Sequence, residues 1–127
     1  ENVRNKTIHG FMNGFIDLMF RHDGKYYVLD WKTNFLGAGP DAYTADAVEK
    51  SMTESLYFLQ YHIYVVAAVL FLKQRLPGFD FERDFGGVIY AYTRGMRVNM
   101  PEHSVFFERP DKALINDLTS ALTGGGL

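Results

Sequence analysis

An Asp-Gly pair, Asp23-Gly24, stands between two runs rich in aromatic and β-branched residues, and no other local feature constrains this chain so tightly. The dipeptide supplies the positive backbone angles that a two-residue hairpin turn needs. Upstream, over residues 7–20, Ile8, Gly10, Met12, Gly14, Ile16, Leu18 and Phe20 share one parity, a strand pattern interrupted at Gly10 and Gly14. Downstream, the run from Lys25 through Tyr26, Tyr27, Val28, Leu29 and Asp30 to Trp31 reads as a second strand. The domain therefore opens on an antiparallel pair, and a turn at Asp23-Gly24 sets Asp17 across from Asp30.

The rest of the chain alternates helix and strand signals. Gly37, Gly39 and Pro40 mark residues 34–40 as a loop. Two helices are expected next, over residues 44–52 and 53–75, the second closed by Pro77-Gly78. On that longer helix Leu56, Leu59, Ile63, Val66, Leu70 and Lys73 recur at three- and four-residue steps, and Tyr57, Tyr61, Tyr64, Ala68 and Phe71 opposite them are nearly as apolar. Such a helix should be buried on most sides. A polar linker over residues 79–84 leads to a strand over residues 86–92 and a short one over 105–107. Pro110-Asp111 then introduces a helix over residues 112–122, and residues 124–127 read as a frayed tail. The order strand, strand, helix, strand, helix predicts one α/β or α+β domain around a mixed sheet, with α/β the class adopted.

Composition narrows the function. Of 127 residues 47% are hydrophobic and 22% charged, with 11 Phe and 8 Tyr, enough bulky apolar surface for a core. The absence of cysteine excludes a disulfide scaffold, a thiolate zinc site and a cysteine nucleophile. A formal charge of -2 means that any grip on DNA comes largely from other parts of an assembly. The longest apolar stretch, residues 63–72, falls well short of the roughly 18 residues that span a bilayer, so no membrane role is expected. Glu1 is followed by polar residues rather than a signal sequence, and the lack of an initiating Met suggests a fragment of a longer protein.

The chemistry concentrates at Asp17, Asp30 and Lys32. Residues two apart in a strand share a face, so Asp30 and Lys32 project together and Trp31 points the other way. Two carboxylates facing each other in apolar surroundings repel unless a cation lies between them. A hard divalent ion such as Mg²⁺ suits that position, and a lysine beside it can stabilise phosphate charge or orient a water. The alternative is a solvated hairpin edge with Lys32 as a surface charge. Thr33 and Asn34 either contact phosphate oxygens or cap the turn. Arg94 and Arg97 either meet phosphate or line a solvated turn. His9, His22, His62 and His103 lack metal-ligand spacing.

Gly14-Phe15-Ile16-Asp17, Leu29-Asp30-Trp31-Lys32-Thr33-Asn34 and Gln60-Tyr61-His62-Ile63-Tyr64 together resemble the PD-(D/E)XK nuclease superfamily, and within it the RecB-type nuclease domain of helicase–nuclease chains. Ala42-Tyr43-Thr44, the run from Phe85 to Tyr90 and Arg94-Gly95 extend the resemblance, which covers residues 11–95. It implies a restriction-endonuclease-like core and Mg²⁺-dependent hydrolysis of DNA during break repair and degradation of linear DNA. It further implies that Asp17, Asp30 and the Trp31 carbonyl bind metal, that Lys32 is catalytic, and that Gln60 and Tyr64 form the Q-x-x-x-Y motif at the substrate or behind the ligands. Without the family, Gln60 and Tyr64 read more readily as helix residues packed into the core. The family carries a further histidine ligand upstream of this hairpin, which places it before Glu1. Implied partners are RecC-like and RecD-like subunits and a RecA-type recombinase, in the bacterial cytoplasm, with ATP serving only a separate helicase part. A recombinase-docking module and a stand-alone structure-specific nuclease are the rival expectations.

Overall fold

The computed structural model describes residues 16–124. Strands β1 (Leu18–His22) and β2 (Lys25–Lys32) form the expected hairpin, with Leu18 opposite Leu29 and His22 opposite Lys25. Asp23 (φ 51°) and Gly24 (φ 77°) make the turn, both in the left-handed region that a type I′ geometry requires. The portion of the first expected strand before Ile16 lies outside the described residues.

Two helices follow, α1 (Ala45–Glu54) and α2 (Tyr57–Arg75), and their axes turn by 82°. A one-turn 3₁₀ segment, Pro40–Tyr43, precedes α1, whose N-terminus is capped by the Thr44 hydroxyl accepting from the Ala47 N–H. Separating α1 from α2, Leu56 adopts φ 58°, so the second helix begins four residues later than its pattern suggests. As expected, α2 is buried on most sides: Tyr61, Tyr64 and every residue from Val65 through Val69 are buried, and of its apolar residues Leu59, in the first turn, is exposed.

Strand β3 (Phe85–Tyr92) runs parallel to β2, and β4 (Val105–Glu108) pairs antiparallel with β3, giving a mixed sheet in the order β1-β2-β3-β4. A parallel neighbour requires a crossover, which α1 and α2 supply. The segment expected as a polar linker instead holds a single helical turn, α3 (Phe81–Asp84), because the Asp80 carboxylate caps it and Phe81 is buried. The last helix is α4 (Lys112–Thr123), with the Asp111 carboxylate at its start and Gly124, at φ 72°, closing it. Gly124 is thus a helix cap rather than frayed chain, and residues 125–127 lie outside the described residues.

The sheet is an α/β scaffold covered by α2 on one face. Val28, Val88, Tyr90 and Phe106 point to that side and meet Tyr61, Tyr64, Val65 and Ala68 in the core. The other face carries the stacked rings of Phe20 and Tyr27, 5.4 Å apart, with Phe107 beside Tyr27. Gly86 lies directly beneath the Tyr27 ring, where a Cβ would overlap it, and the β2–β3 register slips by one residue there. Among the described residues no single helix is long and apolar enough to cross a membrane.

Candidate functional site

β1 and β2 deliver the acidic residues to the edge of the α2-covered face. Asp17 lies immediately before β1 rather than within it, and its Oδ2 accepts from the Trp31 backbone N–H at 2.9 Å. Asp30, on β2, is only 3% exposed. Burial raises its pKa; Lys32 opposes that rise, and the nearby Asp17 carboxylate adds to it. The two aspartates therefore sit close enough to feel each other, as the hairpin arithmetic requires.

Lys32 Nζ lies 2.7 Å from Asp30 Oδ2, with the two side chains 13% and 4% exposed. The ammonium is thus the close partner and countercharge of the buried Oδ2. Lys32 also donates to Gln60 Oε1 at 3.1 Å, and the Tyr90 hydroxyl donates to the same oxygen at 2.7 Å. The ammonium also stands 4.1 Å from the Tyr57 ring centroid and 5.2 Å from that of Tyr90.

Gln60 and Tyr64 occupy one face of α2, four residues apart, and that face turns toward the acidic pair. The Tyr64 hydroxyl is pushed up to about 12 by burial first and then by the charges of Asp30 and Asp17. Burial likewise pushes Tyr90 up, with the Asp30 charge as the next cause. Both phenols therefore stay protonated at neutral pH, and that of Tyr90 is the neutral donor to Gln60.

The loop after Lys32 is tied down rather than open. Tyr57 donates to Asn34 Oδ1 at 3.1 Å, and the buried Tyr43 hydroxyl donates to the Asn34 carbonyl while accepting from the Leu36 N–H. Arg94 Nε donates to the Thr33 carbonyl at 2.6 Å, which ties the segment after β3 to the end of β2. Gly95 packs on the Tyr43 ring and Ser104, leaving no space for a Cβ. Arg97 bonds the Met96 carbonyl, His62 the Phe58 carbonyl and His103 the Pro40 carbonyl. His9 lies outside the described residues.

Asp17, Asp30, Lys32, Gln60 and Tyr64 thus converge on one end of the β1–β2 pair, with Trp31 contributing its backbone and an outward side chain. Thr33 and Asn34 adjoin them, while Arg94 holds the neighbouring loop. Sequence reasoning passed over Tyr57 and Tyr90, which line the ammonium; Tyr90 becomes the register partner of Asp30 only through the parallel β2–β3 pairing. A buried carboxylate next to a second one, its charge met here by the Lys32 ammonium, is the oxygen donor set a hard cation takes. No group of three His, Cys, Asp or Glu side chains joins to hold a metal among the described residues. Backbone oxygen, water or substrate would complete such a sphere.

No family model matches the chain. It is similar to RecBCD enzyme subunit RecB of Haemophilus influenzae, 44% identical over 118 residues, which are 93% of this chain and 10% of that subunit. The subunit of the same name from Escherichia coli is 43% identical over 108 residues, covering 85% of the chain and 9% of the subunit. That from Mycobacterium tuberculosis is 34% identical over 130 residues, covering 96% and 12%. The chain spans about a tenth of the length of these curated relatives.

Proposed function

The chain belongs to the RecB family, and on that premise we propose that it is a metal-dependent deoxyribonuclease domain hydrolysing phosphodiester bonds of linear DNA during break repair. One observation carries the reading: Asp30 is buried beside a second aspartate, with the Lys32 ammonium 2.7 Å from its Oδ2. An arrangement this costly persists where the groups are used.

In this reading Asp17 and Asp30, with the Trp31 carbonyl, hold Mg²⁺. When bound, that ion supplies charge neutralisation and a water of lowered pKa. The Trp31 N–H keeps Asp17 oriented through its Oδ2, leaving the other carboxylate oxygen for the ion. With a metal ion at the aspartates as the countercharge of Asp30 in its place, the Lys32 ammonium would be the cation available to a phosphate oxygen. Gln60 accepts from that ammonium, and the Tyr64 hydroxyl stays protonated throughout the neutral pH range. Thr33, Asn34 and Arg94 form the rim along which the strand would lie.

As part of a RecB-like subunit, the domain would work on DNA delivered by its complex, beside RecC-like and RecD-like subunits, and would lie where a RecA-type recombinase can be loaded. The test is cleavage of linear DNA by the full-length subunit in its complex. Asp30→Ala should abolish cutting and spare unwinding. Wild-type cutting by that variant would refute the proposal.

A further inference from the structure

The cage around the Lys32 ammonium contains two residues to which the D-x-K and Q-x-x-x-Y patterns assign nothing. We infer that Tyr90, assisted by Tyr57, is a positioning residue that sets the Lys32 ammonium for reaction by anchoring Gln60; the inference rests on Lys32 serving the proposed hydrolysis.

Lysine carries its charge on four rotatable carbons, so its location is set by what surrounds it. Its Nζ rests 2.7 Å from Asp30 Oδ2, an oxygen proposed for metal. Three further contacts hold it from the other sides: the Tyr57 ring at 4.1 Å, the Tyr90 ring at 5.2 Å and Gln60 Oε1 at 3.1 Å. Lysine offers only donors, so Gln60 must present its amide oxygen rather than its NH₂. Gln60 is half-buried on a helix face and has other rotamers open to it. What holds it is the Tyr90 hydroxyl, 2.7 Å away on a side chain that is fully buried in the middle of β3.

The placement of Tyr90 follows from the sheet. It is the register partner of Asp30, and parallel pairing puts both on the α2 side. Its ring therefore lies alongside the carboxylate while its hydroxyl reaches the helix. Tyr57 enters from the other direction, at the first turn of α2, where the left-handed Leu56 reorients the chain and the Tyr57 hydroxyl is tied to Asn34. A rigid strand and a tied helix start thus fix two rings and one amide about a flexible ammonium, the kind of support that determines whether a catalytic group is on target.

The test uses the full-length subunit in its complex, with a labelled single-stranded oligonucleotide and Mg²⁺ under single-turnover conditions. Tyr90→Phe keeps the ring and removes only the anchor. It should slow the chemical step roughly 10-fold, the scale expected for a slightly misplaced group, with KM and the Mg²⁺ dependence unchanged. Gln60→Met, which removes the acceptor at a half-exposed position, should reproduce that loss. In a Gln60→Met background Tyr90→Phe should then cost less than about 2-fold more, because both act along one path. Undiminished cutting by Tyr90→Phe overturns the inference. So does a Tyr90→Phe defect of equal size with and without Gln60, because a structural role would multiply rather than merge. Asp30→Ala serves as the control: if it still cuts, the reading of the site fails; if it is dead while Tyr90→Phe is normal, only the positioning role fails.

Discussion

Replacing Lys32 with Met removes the countercharge of a buried carboxylate and leaves a side chain of similar length. At 2.7 Å and an effective dielectric constant of about 20, the attraction lost is about 6 kcal/mol before solvation is considered. Both ions have already lost much of their water, and breaking such pairs from one side costs about 3–5 kcal/mol. The lysine side chain is 13% exposed, so water reaches the pair and the lower end, about 3 kcal/mol, is expected at neutral pH. Gln60 adds little, since its Oε1 keeps the Tyr90 hydroxyl. The pH dependence follows from the raised Asp30 pKa. A carboxyl that holds its proton more tightly when folded loses stability as pH rises from its unfolded value through its folded one. Lys32 opposes that rise, so its removal moves the folded value higher and enlarges the penalty above it. Urea denaturation of the wild type and Lys32→Met across the acid-to-neutral range should therefore give curves that converge in acid and separate toward neutrality. In an Asp30→Asn background, where an amide replaces the carboxylate, the cost of Lys32→Met should fall below about 1 kcal/mol. A cost that is independent of pH, or that persists undiminished in that background, would refute the buried-pair argument.

Divalent ions should stabilise the fold by linkage. At ten times its Kd, Mg²⁺ or Mn²⁺ should add about 1.4 kcal/mol, read as an upward shift of the thermal melt that is absent in Asp30→Ala. The buried Tyr92 hydroxyl donates to Ser51 Oγ at 2.9 Å, so Tyr92→Phe should cost about 1–3 kcal/mol by chemical denaturation. Gly87 sits at φ 147°, and a Cβ there would approach the Glu108 carbonyl to 2.8 Å. Gly87→Ala should lower stability by about 3 kcal/mol, and an unchanged melt would contradict the close β3–β4 approach.

Local signals were enough wherever short-range chemistry decides the conformation. Asp23-Gly24 dictates a turn, the turn dictates the register, and the register brings Asp17 beside Asp30 with no information from the rest of the molecule. The Thr44 and Asp111 caps and the alternation within β2 and β3 are legible for the same reason. Residues separated by many positions met only through packing. Where α2 begins was not legible, because the left-handed residue Leu56 interrupts a pattern that is apolar on both sides of it. Parallel pairing of β2 with β3 is a property of the crossover, and it alone sets Tyr90 next to Asp30. The buried state of Asp30, its close pairing with Lys32 and the cage of Tyr57, Gln60 and Tyr90 around the ammonium all arise from that assembly. The residue types that carry the chemistry were thus written in the chain, whereas their charge state and aim were settled by the water that tertiary packing removed and the partners it put in its place.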